Sequence, residues 1–297
     1  MKHRIAILSA ALAAALVAGC ASTAMDPASA APSAPPVAAK PAMTSALEQA
    51  VMGEWRSAES KARDAARRPV EALTFWGVKP GMSILEVQPG GASWWTEILA
   101  PYARMTNGTF TATGADLADP KLSDGARKSR TDFEAKYADA SVYGKVNVVN
   151  WGQNSAPLPA NSYDMALVSR SFHGWMRFGV VDEYLKRLYD GLKPGGVLAI
   201  EQHRANPGEQ DPKAASGYVT EAYLIEQAEK VGFKLVAKSE VNANPKDTKD
   251  HPFGVWTLPP TRQSSASGQA PDPAFDRAKY DAIGESDRMT LRFVKPS

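Results

Sequence analysis

The sequence predicts an α/β protein: a doubly wound, mostly parallel seven-stranded sheet with N-terminal helices and a long insertion before the last, antiparallel strand. Three observations predict it. Short apolar runs alternate with helix-period stretches from residue 83 onward, and strands joined by helices of that length pair in parallel with helices on both faces. The first run ends in the bend Pro89-Gly90-Gly91, and a helix begins within a few residues. A stretch rich in Pro, Gly, Ser and Asp separates the last two strands.

The elements follow in order along the 297 residues. Lys2 and Arg4 precede an apolar run over 5–18, the n-region and h-region of a secretory signal. That run is shorter than the roughly 20 apolar residues of a membrane-spanning helix. Its end, Leu16-Val17-Ala18-Gly19-Cys20, resembles the lipobox of bacterial lipoproteins, in which the cysteine becomes the acylated first residue. Residues 1–19 are therefore expected to be a lipoprotein signal peptide and Cys20, the only cysteine, a membrane anchor. The plainer alternative is an ordinary signal peptide with a chance cysteine. Ala21 stands where the lipoprotein family carries Asp for inner-membrane retention, so the expected place is the outer membrane, facing the periplasm. Residues 20–44, nearly all Ala, Pro and Ser, read as a tether that cannot bury enough surface to order itself. Residues 45–297 form the α/β domain.

Within that domain a helix is expected over 46–67, with Ser45 as N-cap and Pro69 closing it, and a second over 70–76. Strands are expected at 83–87, 109–113, 146–149, 163–168, 197–201, 233–241 and 289–294, with helices at 93–102, 124–139, 180–192 and 220–231. The insertion, 242–287, is too long to be idle in a compact domain unless it forms something such as a lid. A disordered surface loop is the alternative, against which Trp256, Phe275 and Tyr280 count as apolar mass that mobile linkers seldom carry. The formal charge of +2 and the lack of a basic stripe with interleaved aromatics exclude nucleic acid as an expected partner.

The chemistry concentrates in the window from Ile84 to Ala100. Glycines at a strand-to-helix bend permit close approach of a ligand, and the helix N-terminus accepts an anion. The window resembles motif I of class I S-adenosylmethionine-dependent methyltransferases. Glu86 falls on the acidic position at the strand end, Gln88 on the first glycine, Gly90 on the second and Ala92 on the third. Tyr163-Asp164-Met165-Ala166-Leu167-Val168 resembles the fourth-strand motif, and Leu192-Lys193-Pro194-Gly195-Gly196-Val197-Leu198 the turn into strand five. Closer still, Arg67-Arg68-Pro69, Phe75-Trp76-Gly77-Val78-Lys79-Pro80-Gly81, Phe172-His173-Gly174-Trp175-Met176 and Ser286-Asp287-Arg288-Met289-Thr290-Leu291-Arg292-Phe293 resemble an exported branch of predicted methyltransferases, nearly continuously from Arg63 to Pro296.

The resemblance implies S-adenosylmethionine as cofactor, held by Glu86, Gln88, Pro89, Gly90 and Gly91, with Asp116 at the end of strand two on the ribose if the backbone bends it back. His173 and His203 follow strands four and five, which are neighbours in this topology, so their imidazoles can face one cleft. A histidine there suits a general base, its ordinary pKa being about 6.5. A core or supporting role is the blander reading for each. With Glu201 or His251 the pair could also bind a divalent metal, but no His-x-x-x-His spacing is present and none is expected. Trp94, Trp95 and Trp175 read either as an apolar wall around a bound ring or as an aromatic core. The expected function is methyl transfer to a small or envelope-associated nucleophile. Because this cofactor is made in the cytoplasm and an exported lipoprotein has no evident supply, the alternative is a non-catalytic binding or scaffold lipoprotein on the same fold.

Overall fold

The computed structural model describes residues 45–297. The expected signal peptide, Cys20 and the tether lie outside the described residues. In chain order the elements are α1 (Ala46–Met52), α2 (Ala58–Ala62), α3 (Asp64–Arg67), α4 (Pro69–Trp76), β1 (Ser83–Val87), α5 (Thr96–Met105), β2 (Thr109–Gly114), α6 (Asp124–Lys136), α7 (Ala140–Tyr143), β3 (Val146–Asn150), β4 (Tyr163–Ser169) and α8 (Phe172–Phe178). After these come α9 (Val181–Gly191), β5 (Leu192–His203), α10 (Glu221–Val231), β6 (Lys234–Ser239), a 3-10 turn (Gly254–Thr257), α11 (Arg277–Asp281) and β7 (Arg288–Val294). The strands form one sheet in the order β3-β2-β1-β4-β5-β7-β6. Every pair is parallel except those of β7, which runs antiparallel to both neighbours. This is the expected fold class.

The period-2 pattern of the strands builds two core layers, one on each face of the sheet. On β4, Ala166 and Val168 join a core with Leu185 and Leu188 of α9, while Met165 and Leu167 join another with Ile98 and Leu99 of α5. On β5, Leu198 and Ile200 go to the first core, Val197 and Ala199 to the second. The helix after β1 and the helix after β4 thus pack on opposite faces. The crevice between the carboxyl ends of β1 and β4 is a topological switch point, where open α/β sheets bind ligands.

The N-terminal region departs from the unbroken helix expected over 46–67. Ser45 does cap α1, in a full capping box with Glu48. The helix stops at Gly53, where a Cβ would stand 2.1 Å from the Trp55 ring. Trp55 turns inward because its indole N–H donates to Glu97 O at 2.8 Å, fastening the segment to α5. Pro69 opens α4 rather than closing a helix, at a position where a missing N–H costs nothing. The insertion is built onto the domain. Asp247 accepts bonds from Tyr218 OH (3.0 Å) and Asp287 N (2.8 Å) and lies 2.7 Å from His251 Nε2, and Asn242 bridges Arg67 O to Thr290.

Candidate functional site

The loop after β1 is shaped by three left-handed residues, Gln88 (φ 51), Gly90 (φ 71) and Ser93 (φ 47). Gln88 and Ser93 are the costly ones, since a residue with a Cβ disfavours this region. Two bonds hold Gln88 there: its N–H donates to Thr113 Oγ1 at 2.8 Å, and its side-chain Oε1 accepts from Trp175 Nε1 at 2.7 Å. Ser93 closes the bend by donating its N–H and hydroxyl to Gly90 O, each at 3.1 Å. A Cβ built on Gly90 or Gly91 would meet nothing within 4 Å, so the bend faces open space.

That space is a cavity of about 540 Å³. Residues 88–91 and 113–115 line it along the ends of β1 and β2, α6 contributes Arg130 and Phe133, and Trp151 stands after β3. The volume lies within the roughly 300–1,000 Å³ of small-molecule sites. A second cavity of about 280 Å³ is lined by Gln88, Ser171, Gly174, Trp175, Phe178 and Tyr184. Gln88 belongs to both walls, so its bond to Trp175 lies between them.

Of the six residues expected to bind the cofactor, Gln88, Pro89, Gly90 and Gly91 line the first cavity, and Glu86 and Asp116 do not. Glu86 is 2% exposed and accepts a 2.6 Å bond from Thr96 Oγ1 in the first turn of α5. Burial pushes its carboxyl up to about 8, outweighing the Thr96 bond and the pull of Arg170. At neutral pH it is mainly protonated. Asp116 is turned toward β3: it accepts from Asn150 Nδ2 (2.9 Å), Ser155 Oγ (2.9 Å) and Ala118 N (3.0 Å). Its place at the end of β2 is taken by a cation that sequence reasoning missed. Arg130 donates to Ala115 O and Asn150 Oδ1 and pairs with Glu134, so close to the strand that a Cβ on Gly114 would lie 2.7 Å from its guanidinium. The glycine ending β2 is the one signal that pointed there.

His173 and His203 do come together, their ring centroids 5.7 Å apart, but neither lines the cavity. Gln202 Nε2 donates to Gly217 O (3.1 Å) and faces His173 Nδ1 at 3.2 Å. With the amide so oriented, Nδ1 is the acceptor and the proton of the neutral ring sits on Nε2. Burial lowers His173 to about 4 and His203 well below its ordinary value. His203 Nδ1 lies 2.6 Å from Ser286 Oγ, and Trp256 of the insertion packs edge-on against His173. Among the described residues no cluster of three or more His, Cys, Asp or Glu could hold a metal. Trp94 and Trp95 are core residues, packed edge to face at 4.7 Å, and Trp175 belongs to the core on the other face while also walling the second cavity.

No family model matches the sequence. Over 124 residues the chain is 27% identical to the ubiquinone/menaquinone biosynthesis C-methyltransferase UbiE of Shewanella pealeana, covering 42% of this chain and 43% of that protein. The chain thus matches less than half the length of such curated relatives. Among solved structures, the [4+2]-cyclase SpnF superposes with a TM-score of 0.52 at 18% identity, over 82% of this chain and 85% of that one. A SAM-dependent methyltransferase from Aquifex aeolicus gives a TM-score of 0.45 at 20% identity, over 61% and 87%. The chain shares its Rossmann-like fold, a seven-stranded and mostly parallel sheet, with SpnF, which is named for cyclase chemistry.

Proposed function

We propose that the chain transfers a methyl group from S-adenosylmethionine to a small or envelope-associated nucleophile. The observation that carries this reading is the cavity over the Pro89-Gly90-Gly91 bend, open above both glycines and placed beside the switch point. The 124-residue similarity to C-methyltransferases supports it independently. The cofactor would supply an electrophilic methyl on a sulfonium. The backbone of residues 88–91 would hold the methionyl part, residues 113–115 the ribose side, and Trp151 would shield the base from water. Glu86 is a latent counter-charge: an ammonium brought near it lowers its proton affinity, and the released proton leaves an ion pair in a low-dielectric pocket. Asp116 reaches the ribose only after leaving Asn150 and Ser155. His173, neutral with its proton on Nε2, serves as a hydrogen-bond donor rather than a base, and His203 supports it from β5. Catalysis in this account is orientation and water exclusion. The signal-like residues 1–19 and Cys20 support a lipid-anchored place in the envelope, on the outer membrane facing the periplasm.

Calorimetric titration of the full chain with S-adenosylmethionine and with S-adenosylhomocysteine tests the reading. Saturable binding with Kd below about 1 mM is expected, weakened about tenfold by Glu86→Ala. An absence of heat at millimolar ligand contradicts it and leaves a non-catalytic protein on this fold.

A further inference from the structure

Three distant stretches of chain meet at the carboxyl ends of β4 and β5. From the α2–α3 junction and α3 come Arg63 and Arg67, from the ends of β4 and β5 Ser169, Arg170 and Glu201, and from the end of the insertion and the start of β7 Glu285 and Arg288. Arg63 and Arg67 bind Glu285 through their Nε atoms at 2.6 and 3.1 Å. Arg288 bridges Glu201 Oε1 (2.9 Å) and Glu285. Glu201 also accepts from Ser169 Oγ (2.6 Å) and Trp95 Nε1 (3.3 Å). Four guanidiniums thus face two carboxylates, a surplus of two positive charges around groups of which Arg67, Arg288, Glu201 and Glu285 are closed to solvent or nearly so.

The hydrogen bonding is as unbalanced as the charge. Arg67 is fully buried with its guanidinium 4.7 Å from the Trp94 ring centroid, yet Nη1 and Nη2 have no hydrogen-bond partner, and Arg63 Nη2 and Arg288 Nε are also unmatched. A structural arginine looks different. Arg204, on the same strand end, spends its donors on two carboxylates, Asp287 and Glu240, at 2.7–3.0 Å. Burial and the neighbouring Arg170 and Arg288 pull Arg67 down to about 8. A guanidinium does not give up its proton in a protein, so that pull is an unmet demand for negative charge. Arg170 is partly exposed and holds a strained left-handed backbone (φ 58), with its N–H on Glu201 O at 2.7 Å. In sequence it stands between Ser169, which donates to Glu201, and Ser171, which lines the second cavity with Gln88.

We propose that this arginine cluster is a subsite for an oxyanion, a carboxylate or phosphate group, of the small molecule bound at the strand edge. The inference rests on the methyl-transfer reading for whose anion it is, the acceptor's or the cofactor's own carboxylate, but not for the anion itself. The free Nη1 and Nη2 of Arg67 form a planar fork that matches the geometry of such groups. The link to Glu285 and Arg288 makes the end of the insertion part of the same subsite.

The test uses the full chain and inorganic phosphate at ionic strength matched with chloride. Saturable binding, read by calorimetry and by a rise in Tm, is expected in the wild type, with affinity reduced at least about tenfold in Arg67→Met and retained in Arg130→Met. No saturable response, or one equal in wild type and Arg67→Met, overturns the proposal. Should Arg67→Met not fold, Arg170→Met, at a partly exposed position, takes the same comparison. Phosphate binding requires no cofactor, so failure of S-adenosylmethionine to bind leaves this result standing. Where the cofactor does bind, phosphate competing with S-adenosylmethionine but not with its decarboxylated analogue assigns the subsite to the cofactor's carboxylate. Phosphate binding alongside both assigns it to the acceptor.

Discussion

Glu86 near the end of β1 and Glu201 near the end of β5 flank β4 from its two sides, and both are closed to solvent, at 2% and 0% exposure. Their surroundings give them opposite charge. Glu86 has one hydroxyl partner, and burial raises its carboxyl to about 8. Burial acts on Glu201 in the same direction, but Arg288, Arg170 and Arg67 outweigh it and hold the group down near 2. Depth alone therefore does not set the state of a buried acid; the number of cations facing it does. One side of the crevice stores a proton that a cation can displace. The other stores positive charge that an anion can neutralise.

Exchanging the two carboxylates for amides separates the two sides most strongly. Glu201→Gln leaves the arginines with Glu285 alone and is expected to destabilise the fold by about 3–5 kcal/mol in denaturant titration. A loss under about 1 kcal/mol would mean that the cluster does not depend on that charge. Glu86→Gln acts oppositely at neutral pH. The folded-state pKa of Glu86 lies above the unfolded 4.5, so its favourable contribution is complete below 4.5 and is lost as pH rises through about 8. By pH 7 the wild type has lost about 3 kcal/mol on this account, and Tm measured from pH 5 to 8 falls in the wild type but stays flatter in Glu86→Gln. Parallel profiles would show Glu86 ionised in the fold. For Glu201 the sign reverses: stability is present above 4.5 and lost as pH falls toward about 2. The hydroxyl partners sharpen the contrast at smaller scale. Ser169→Ala removes a bond to an ionised acid and should cost about 2 kcal/mol, whereas Thr96→Val, facing a neutral acid, should cost about 1.

The legibility of the two sides differed in the same way. The loop side was local: Ser83–Val87, the bend and the next helix are adjacent in sequence, and apolar runs punctuated by Pro-Gly reveal them. Asp116 follows β2, as its place in the sequence implies, but its direction depends on Asn150 and Ser155, more than thirty residues away. The arginine cluster joins residues 218 positions apart, as in Arg67 and Glu285, and no periodicity encodes that meeting. The histidine pair was inferable from strand order, whereas the tautomer of His173 rests on Gln202 and Gly217. α8 escaped because it is seven residues long, contains Gly174 and lacks a side-chain cap. The break at Gly53 follows from a tryptophan that docks on a helix 42 residues further on.

The most direct measurement is a carboxyl ¹³C NMR titration of Glu86, assigned through Glu86→Gln, in the free protein and at saturating S-adenosylmethionine. A midpoint near 8 is expected in the free protein, dropping when the cofactor binds. A midpoint at the ordinary 4.5, or one near 8 that the bound cofactor leaves unmoved, would contradict it.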